Sequence, residues 1–335
     1  MILGMSTIPV IAEIASAHEG RAELACDLVS LAAHAQCDAV KLQLFKRELL
    51  VCPSHPNYVS FGEIELSPDA WKRVFQTAVR VGMPVVVEPY DEPSFHFAQQ
   101  MNIAIAYKIP SSDTGNLPLL QLCGSQNRSV MLSAGGSTEV EIRQAIAVLR
   151  DSGCKEITLM HGFQDRPTDI RETHLNRIES LRSSFGVNVG IADHIDAEDT
   201  ELAFTVPLMA VACGVSVIEK HITIDRARKG RDHFSALNPD EMARFVALVK
   251  RAELAMGSNS ITLSERERNY RNLMKRQAVF ACDVKAGERI ASNSVVYKRT
   301  GKPGLVQNDV SRLVGKRCRT DMTADEPLLE ENLEP

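Results

Sequence analysis

The chain of 335 residues is 44% hydrophobic and 24% charged, with 5% aromatics and a formal net charge of −5 at pH 7. That profile belongs to a globular protein with room for more than one domain, and its mild acidity excludes general binding to nucleic acid or anionic membranes. No apolar run could cross a bilayer, the first residues lack a signal peptide's basic start and apolar core, and the eight cysteines include no C-x-x-C pair, so the expected location is the cytoplasm.

Short Val/Ile/Leu-rich runs predict strands at 9–15, 38–45, 83–89, 105–111, 129–134, 156–162, 187–193 and 215–223. The spacers have helical period. After Pro68, Trp71, Val74, Phe75, Ala78 and Val79 fall at i, i+3, i+4, i+7 and i+8, and Gly82 stops the run. Thr138 and Glu141 form the capping box of a helix ending near Gly153. Asn238-Pro239-Asp240-Glu241 supplies an N-cap, a Pro at N1 and first-turn acids for another, closed by Gly257.

Strands alternating with helices imply right-handed crossovers and a parallel sheet, and eight such units in about 250 residues predict a (β/α)8 TIM barrel over 1–257. A doubly wound sheet would want G-x-G-x-x-G after the first strand, and none is there. Residues 258–277 are polar and Arg/Glu-rich, a linker or an exposed helix. From 278 to 335, short strands at 278–284 and 294–298 alternate with Lys285-Ala286-Gly287-Glu288 and Gly301-Lys302-Pro303-Gly304 turns, a small β-rich domain that is marginal by itself.

The eighth strand reads Ser216-Val-Ile-Glu-Lys-His-Ile-Thr223, so Glu219 and His221 share one face and Lys220 takes the other. In a barrel of this kind the chemistry sits at the carboxyl ends of the strands. All eight ends carry polar groups: Glu13 and His18, Lys41 and Gln43, Glu88, Lys108 and Ser111, Ser133 before Gly135-Gly136, His161 and Gln164, Asp193 and His194, Glu219 and His221. Burying an unpaired ammonium is costly, so Lys41 and Lys108, converging with Ser111, Ser133 and a glycine turn, suit a phosphate or carboxylate. His194 and His221, on adjacent strand ends beside Asp193 and Glu219, suit a divalent ion (Mn2+, Mg2+, Fe2+ or Zn2+) as neutral imidazole ligands. The basic loop 226–232 is open to a plain reading as a solvated charge run, and Asp232 alone carries no weight.

In order along the chain, Ala12-Glu-Ile-Ala-Ser-Ala-His-Glu-Gly20 resembles the A-E-I-G-x-N-H-x-G start of the sialic acid (N-acetylneuraminate) synthase family. Val40-Lys-Leu-Gln43, Lys108-Ile-Pro-Ser111, Leu132-Ser-Ala-Gly135, Asp193-His194 and Val217-Ile-Glu-Lys-His221 follow in that family's order, and Lys229-Gly-Arg-Asp-His233 is similar to its G-x-D-H loop. The tail, with Lys298-Arg299 before a Gly-rich turn, resembles its SAF (antifreeze-like, β-clip) domain.

The resemblance implies condensation of phosphoenolpyruvate with an amino-sugar aldehyde, giving a 2-keto-3-deoxy sugar acid and phosphate by C–O cleavage. It assigns a divalent metal, Mn2+ or Mg2+, to His194 and His221. Lys41, Lys108, Ser111 and Ser133 take the phosphate and carboxylate, and Glu13 and Glu219 the cationic intermediate and water. Gln43 and Asp232 contact substrate, Gln164 takes an amide position, and Arg299 reaches in from a second subunit of a domain-swapped homodimer.

The chain departs from that pattern at Ala17, where the family has Asn, and at Ala192, where it has Ser. Gly162-Phe-Gln-Asp-Arg-Pro167 replaces a C-T-[SN]-x-Y-P segment, which puts Arg166 at an aromatic position, and Asp196-Ala-Glu-Asp199 is an acidic insertion. The expectation is retained synthase chemistry with an altered acceptor, Arg166 pointing to a more polar or anionic group. Octulosonate- or heptulosonate-phosphate synthases share the reaction class but would not be expected to carry the tail domain. A metal-dependent barrel hydrolase would want an H-x-H on strand one, which Glu13-Ile-Ala15 does not offer. The alternative of another class is a non-catalytic sugar-binding or assembly protein on the same scaffold.

Overall fold

The structure, a computed structural model, describes residues 8–165, 168–302 and 304–334. The chain divides between Gly257 and Ser258 into two compact units.

In the first unit eight parallel strands close into a barrel in sequence order: β1 (Val10–Glu13), β2 (Ala39–Leu44), β3 (Val85–Pro89), β4 (Ala104–Ile109), β5 (Ser129–Ser133), β6 (Ile157–His161), β7 (Asn188–Asp193) and β8 (Ile218–His221). The closing seam pairs Val10 with Ile218 and Glu13 with His221. A helix follows every strand, from Ala22–His34 after β1 to Pro239–Met256 after β8. The (β/α)8 expectation is met, although the strands are shorter than the apolar runs that announced them. Ser111 in particular lies beyond β4, in a 3-10 turn over Ser111–Asp113.

Local signals set the helix limits. Ser67 Oγ accepts from Ala70 N at 3.2 Å, Pro68 occupies the first turn, and Gly82 ends that helix in the left-handed region at φ 70°. Its apolar stripe buries Trp71, Val74, Phe75 and Ala78, but Val79 lies at the stripe's rim and is 68% exposed, contrary to expectation. The capping box Thr138/Glu141 forms as expected, and Asn238, expected as an N-cap, also forms a box with Glu241.

Strand alternation then builds the interior in layers. Seven strands, and the residue just before β8, each give one side chain to an inner apolar layer: Ile11, Ala39, Val86, Ala106, Met131, Met160, Ala192 and Val217. Two residues further along, the same face carries Glu13, Lys41, Glu88, Lys108, Ser133, Gly162, His194 and Glu219. The apolar layer is a plug, and the charged layer sits on it at the carboxyl end of the barrel. The opposite strand face, with Val40, Leu42, Val85, Val87 and Ile109, packs under the helices in the main core.

The second unit contains the exposed helix Glu265–Met274 and a two-stranded antiparallel sheet of β9 (Gln277–Phe280) and β10 (Val295–Lys298). Ala278, Phe280, Val284, Ile290, Leu313, Cys318 and Leu328 form its core. β9 stops at Phe280, and Val284 instead bridges Met322. Among the described residues no helix is long and apolar enough to cross a membrane, and all eight cysteines are free thiols.

Candidate active site

The charged layer is a closed ion-pair network. Lys41 Nζ lies 2.8 Å from Glu219 Oε1 and 3.0 Å from Glu88 Oε2, and it also pairs with Glu13. Lys108 Nζ donates to Glu219 Oε2 at 2.8 Å. All five side chains belong to residues no more than 4% exposed. Burial opposes ionisation of Glu219, but Lys108 and Lys41 outweigh it and hold the carboxyl well below its usual range. Burial likewise works against the Lys108 ammonium, and Glu219 and Glu88 outweigh it, so its pKa is raised. Removing one partner from such a buried set costs about 3–5 kcal/mol, because a desolvated charge is left behind.

Glu13 is fixed from its own loop: its Oε1 accepts from Ala15 N at 2.5 Å, with Ala15 at φ 42°. Gln43 Nε2 donates to Glu88 Oε2 at 2.9 Å. Beside the network the rings of His194 and His221 lie 5.2 Å apart between centroids. Burial first, then the neighbouring His221, takes His194 down to about 3. Burial and then Lys41 do the same to His221, so both imidazoles are neutral near pH 7.

His194 Nδ1 is buried with no hydrogen-bond partner. A neutral imidazole pair with an orphaned buried nitrogen is the donor chemistry a divalent ion uses, so these residues fit one. Among the described residues no set of three or more His, Cys, Asp or Glu side chains gathers as a complete cage.

Ser133 ends β5 and Ser111 opens the turn after β4. Thr114 Oγ1 contacts the carbonyl oxygens of Ser111 at 3.2 Å and Ser133 at 3.4 Å, and accepts from Ser137 Oγ at 3.2 Å. At the mouth, Asp232 joins two loops: its Oδ1 accepts from Gln164 Nε2 at 3.2 Å and its Oδ2 from Ser16 N at 3.1 Å. Arg299, in the second unit, is exposed and donates Nε to the Met274 carbonyl at 3.1 Å. The expectation placed on Arg166 lies outside the described residues.

Two strand-end residues stand elsewhere than expected. Asp193, read beside His194 as an oxygen donor, pairs instead with the fully buried Lys220 on the outer strand face. His161 also faces outward, its Nε2 donating to the Thr173 carbonyl at 2.8 Å. Because Met160 and Ala192 belong to the inner layer, their successors must point the other way. His18 is buried edge-on against Trp71 at 5.8 Å between centroids, and its Nδ1 accepts from Gly20 N at 3.1 Å. Tyr90, to which the sequence offers no pointer, is a half-buried ring one step beyond β3 and edge-on to Phe45. Glu88, for which neither its pattern nor the resemblance suggests a role, lies inside the network.

A closed parallel barrel carrying ion pairs and paired imidazoles on its carboxyl-end layer defines a (β/α)8-barrel enzyme. The chain matches the NeuB family model over residues 28–261 and the SAF domain model over 275–334. It is 30% identical to the N,N'-diacetyllegionaminic acid synthase of Legionella pneumophila, over 97% of this chain and 94% of that one. A pseudaminic acid synthase of Campylobacter jejuni is 27% identical, over 96% of this chain and 95% of that one. Among solved structures, a spore coat polysaccharide biosynthesis protein E from Chromobacterium violaceum superposes with a TM-score of 0.82 at 25% identity, covering 98% of this chain and 100% of that chain. The chain belongs to the NeuB family and carries a SAF domain at its carboxyl end.

Proposed function

We propose that the protein condenses phosphoenolpyruvate with an amino-sugar aldehyde of the N-acetylmannosamine kind, forming a 2-keto-3-deoxy nonulosonic acid and phosphate. The observation that carries this reading is the single carboxylate of Glu219 shared at 2.8 Å by Lys41 and Lys108 beside an imidazole pair. Two buried ammonium groups on one wall provide the grip that a small polyanion needs, and the carboxylates between them provide groups for a cationic intermediate.

In this reading Lys41 and Lys108 bind the phosphate and carboxylate of phosphoenolpyruvate, together with Ser111 and Ser133, whose backbone carbonyls Thr114 ties together. C3 of phosphoenolpyruvate attacks the aldehyde carbon, and the new C–C bond leaves an oxocarbenium centre at C2. Glu13 and Glu219 lie beside that centre, stabilise its charge and orient the water that adds there. Breaking the C2–O bond of the resulting hemiketal phosphate releases inorganic phosphate and leaves the 2-keto acid. Gln43, Gln164 and Asp232 hold the acceptor.

His194 and His221 would hold a divalent metal, Mn2+ or Mg2+, which supplies Lewis-acid polarisation of the aldehyde oxygen when bound. Arg299 serves the site of a second subunit in a domain-swapped homodimer. The test is phosphate release from phosphoenolpyruvate across a panel of amino sugars, with the product mass determined. Release that depends on both the sugar and a divalent ion supports the synthase. No release with any aldose, metal supplied, would point to a sugar-binding protein instead.

A further inference from the structure

The network holds three carboxylates against two ammonium groups, and the second partner of Glu88 is a side-chain amide. Glu219 bridges Lys41 and Lys108, and Glu13 is held by the Ala15 N–H. Glu88 spends one oxygen on both Lys41 Nζ, at 3.0 Å, and Gln43 Nε2, at 2.9 Å. A carboxylate can only accept, so the Gln43 amide must present its NH2 to Glu88, which turns its carbonyl oxygen away. Gln43 lies two residues past Lys41 on the same strand face, toward the mouth, and is half-buried where Lys41 is closed off.

The next groups outward continue the theme. Tyr90 follows Glu88 by two residues, and its phenol is held protonated by burial and then by the charges of Glu88, Asp113, Glu219 and Asp232. Arg231 at the mouth is engaged by Ser60 Oγ at 2.7 Å and Glu63 Oε2 at 3.1 Å. An acceptor arriving beside Gln43 therefore meets an amide carbonyl that reads N–H and O–H donors, and with phosphoenolpyruvate already taking up the two lysines, the surplus carboxylate charge beneath that amide disfavours a further dianion.

We propose that Glu88, by fixing the Gln43 amide and placing its buried charge beneath it, is the positioning residue that selects an unphosphorylated, donor-rich amino sugar. This rests on the synthase reading above.

Steady-state phosphate release would be compared for wild type, Glu88→Gln, Gln43→Ala and the double variant. The acceptors are N-acetylmannosamine, its 6-phosphate and a di-N-acetylated hexose. Wild type should turn over an unphosphorylated sugar at least about tenfold more efficiently than the 6-phosphate, as loss of donor contacts and like-charge contact together require. Glu88→Gln should raise the acceptor KM about tenfold while the phosphoenolpyruvate KM stays within about threefold, and it should narrow the preference against the phosphate ester. Gln43→Ala should give the same split, and the double variant should add little to either single change. Should Glu88→Gln fail to fold, the split in Gln43→Ala decides. An equal rise in the phosphoenolpyruvate KM, no change in either KM, or a wild-type preference for the 6-phosphate would overturn the proposal. A wild type that releases no phosphate with any aldose would sink the synthase reading, and this inference with it.

Discussion

Glu219 on β8 and Lys41 on β2 meet at 2.8 Å, reaching past the intervening strand β1, and the other oxygen of Glu219 holds Lys108 of β4 at the same distance. One carboxylate thus keeps two buried ammonium groups together. Glu219→Gln should lose about 3 kcal/mol of stability in urea unfolding, because both lysines keep their charge and lose a counter-ion. Phosphate release should fall about 100-fold or more. Wild-type stability together with wild-type turnover would contradict the network's role.

His221→Ala addresses the imidazole pair without disturbing the ion pairs. The variant should keep the wild-type far-ultraviolet spectrum and lose about tenfold or more in Mn2+ affinity, read by equilibrium binding to the full chain. Unchanged Mn2+ affinity would remove His194 and His221 from the metal assignment, whatever the activity.

The period-2 alternation of β8 was enough to predict that Glu219 and His221 face inward and Lys220 outward, and the barrel itself followed from eight apolar runs at regular spacing. Asp193 and His161 occupy the outer strand face, which polarity near a strand end does not by itself reveal. The same alternation, applied from Met160 and Ala192, would have turned both outward. Tyr90 gave no signal, since an aromatic after an apolar run reads as core. Its company of carboxylates comes from elements far apart in sequence, β3, the turn after β4, β8 and the loop at 232. The role of Glu88 was hidden for the same reason: its meaning lies in the Lys41 and Gln43 contacts of the neighbouring strand.

Buried His18 gives the protein an acid-side liability. Burial, opposed in part by Asp232, lowers its pKa from 6.5 to about 4. An unfolded chain takes up that proton near pH 6.5 and the folded one waits until about 4, so the unfolded state binds more protons between those values. The contribution is complete above pH 6.5 and is lost as pH falls toward 4, amounting to about 3 kcal/mol at the limit. His18→Asn keeps an acceptor for the Gly20 N–H and removes the titration. Urea midpoints from pH 7 to pH 4.5 should fall less steeply in that variant, and an identical slope would show that His18 is not responsible.

Ala15 sits at φ 42° so that its N–H can reach Glu13. Strain there is about 1–2 kcal/mol for a residue with a Cβ, partly offset in Ala15→Gly by the greater chain entropy of glycine. Ala15→Gly should therefore stay within about 1 kcal/mol of wild type, whereas Ala15→Val, β-branched in a left-handed conformation, should lose about 2 kcal/mol or more together with turnover. Thermal and urea unfolding of the pair provides the check. A stable, active Ala15→Val would mean that the loop adopts another conformation.

The central claim is that Lys41, Lys108 and Glu219 handle phosphoenolpyruvate while the imidazole pair serves an aldehyde. The most direct measurement is phosphate release from phosphoenolpyruvate with the amino-sugar panel and a divalent ion, followed by product mass. The account predicts release only when sugar and metal are both present, with a product equal to phosphoenolpyruvate plus sugar plus water minus phosphoric acid. Phosphate released without sugar, or no release with any member of the panel, would contradict it.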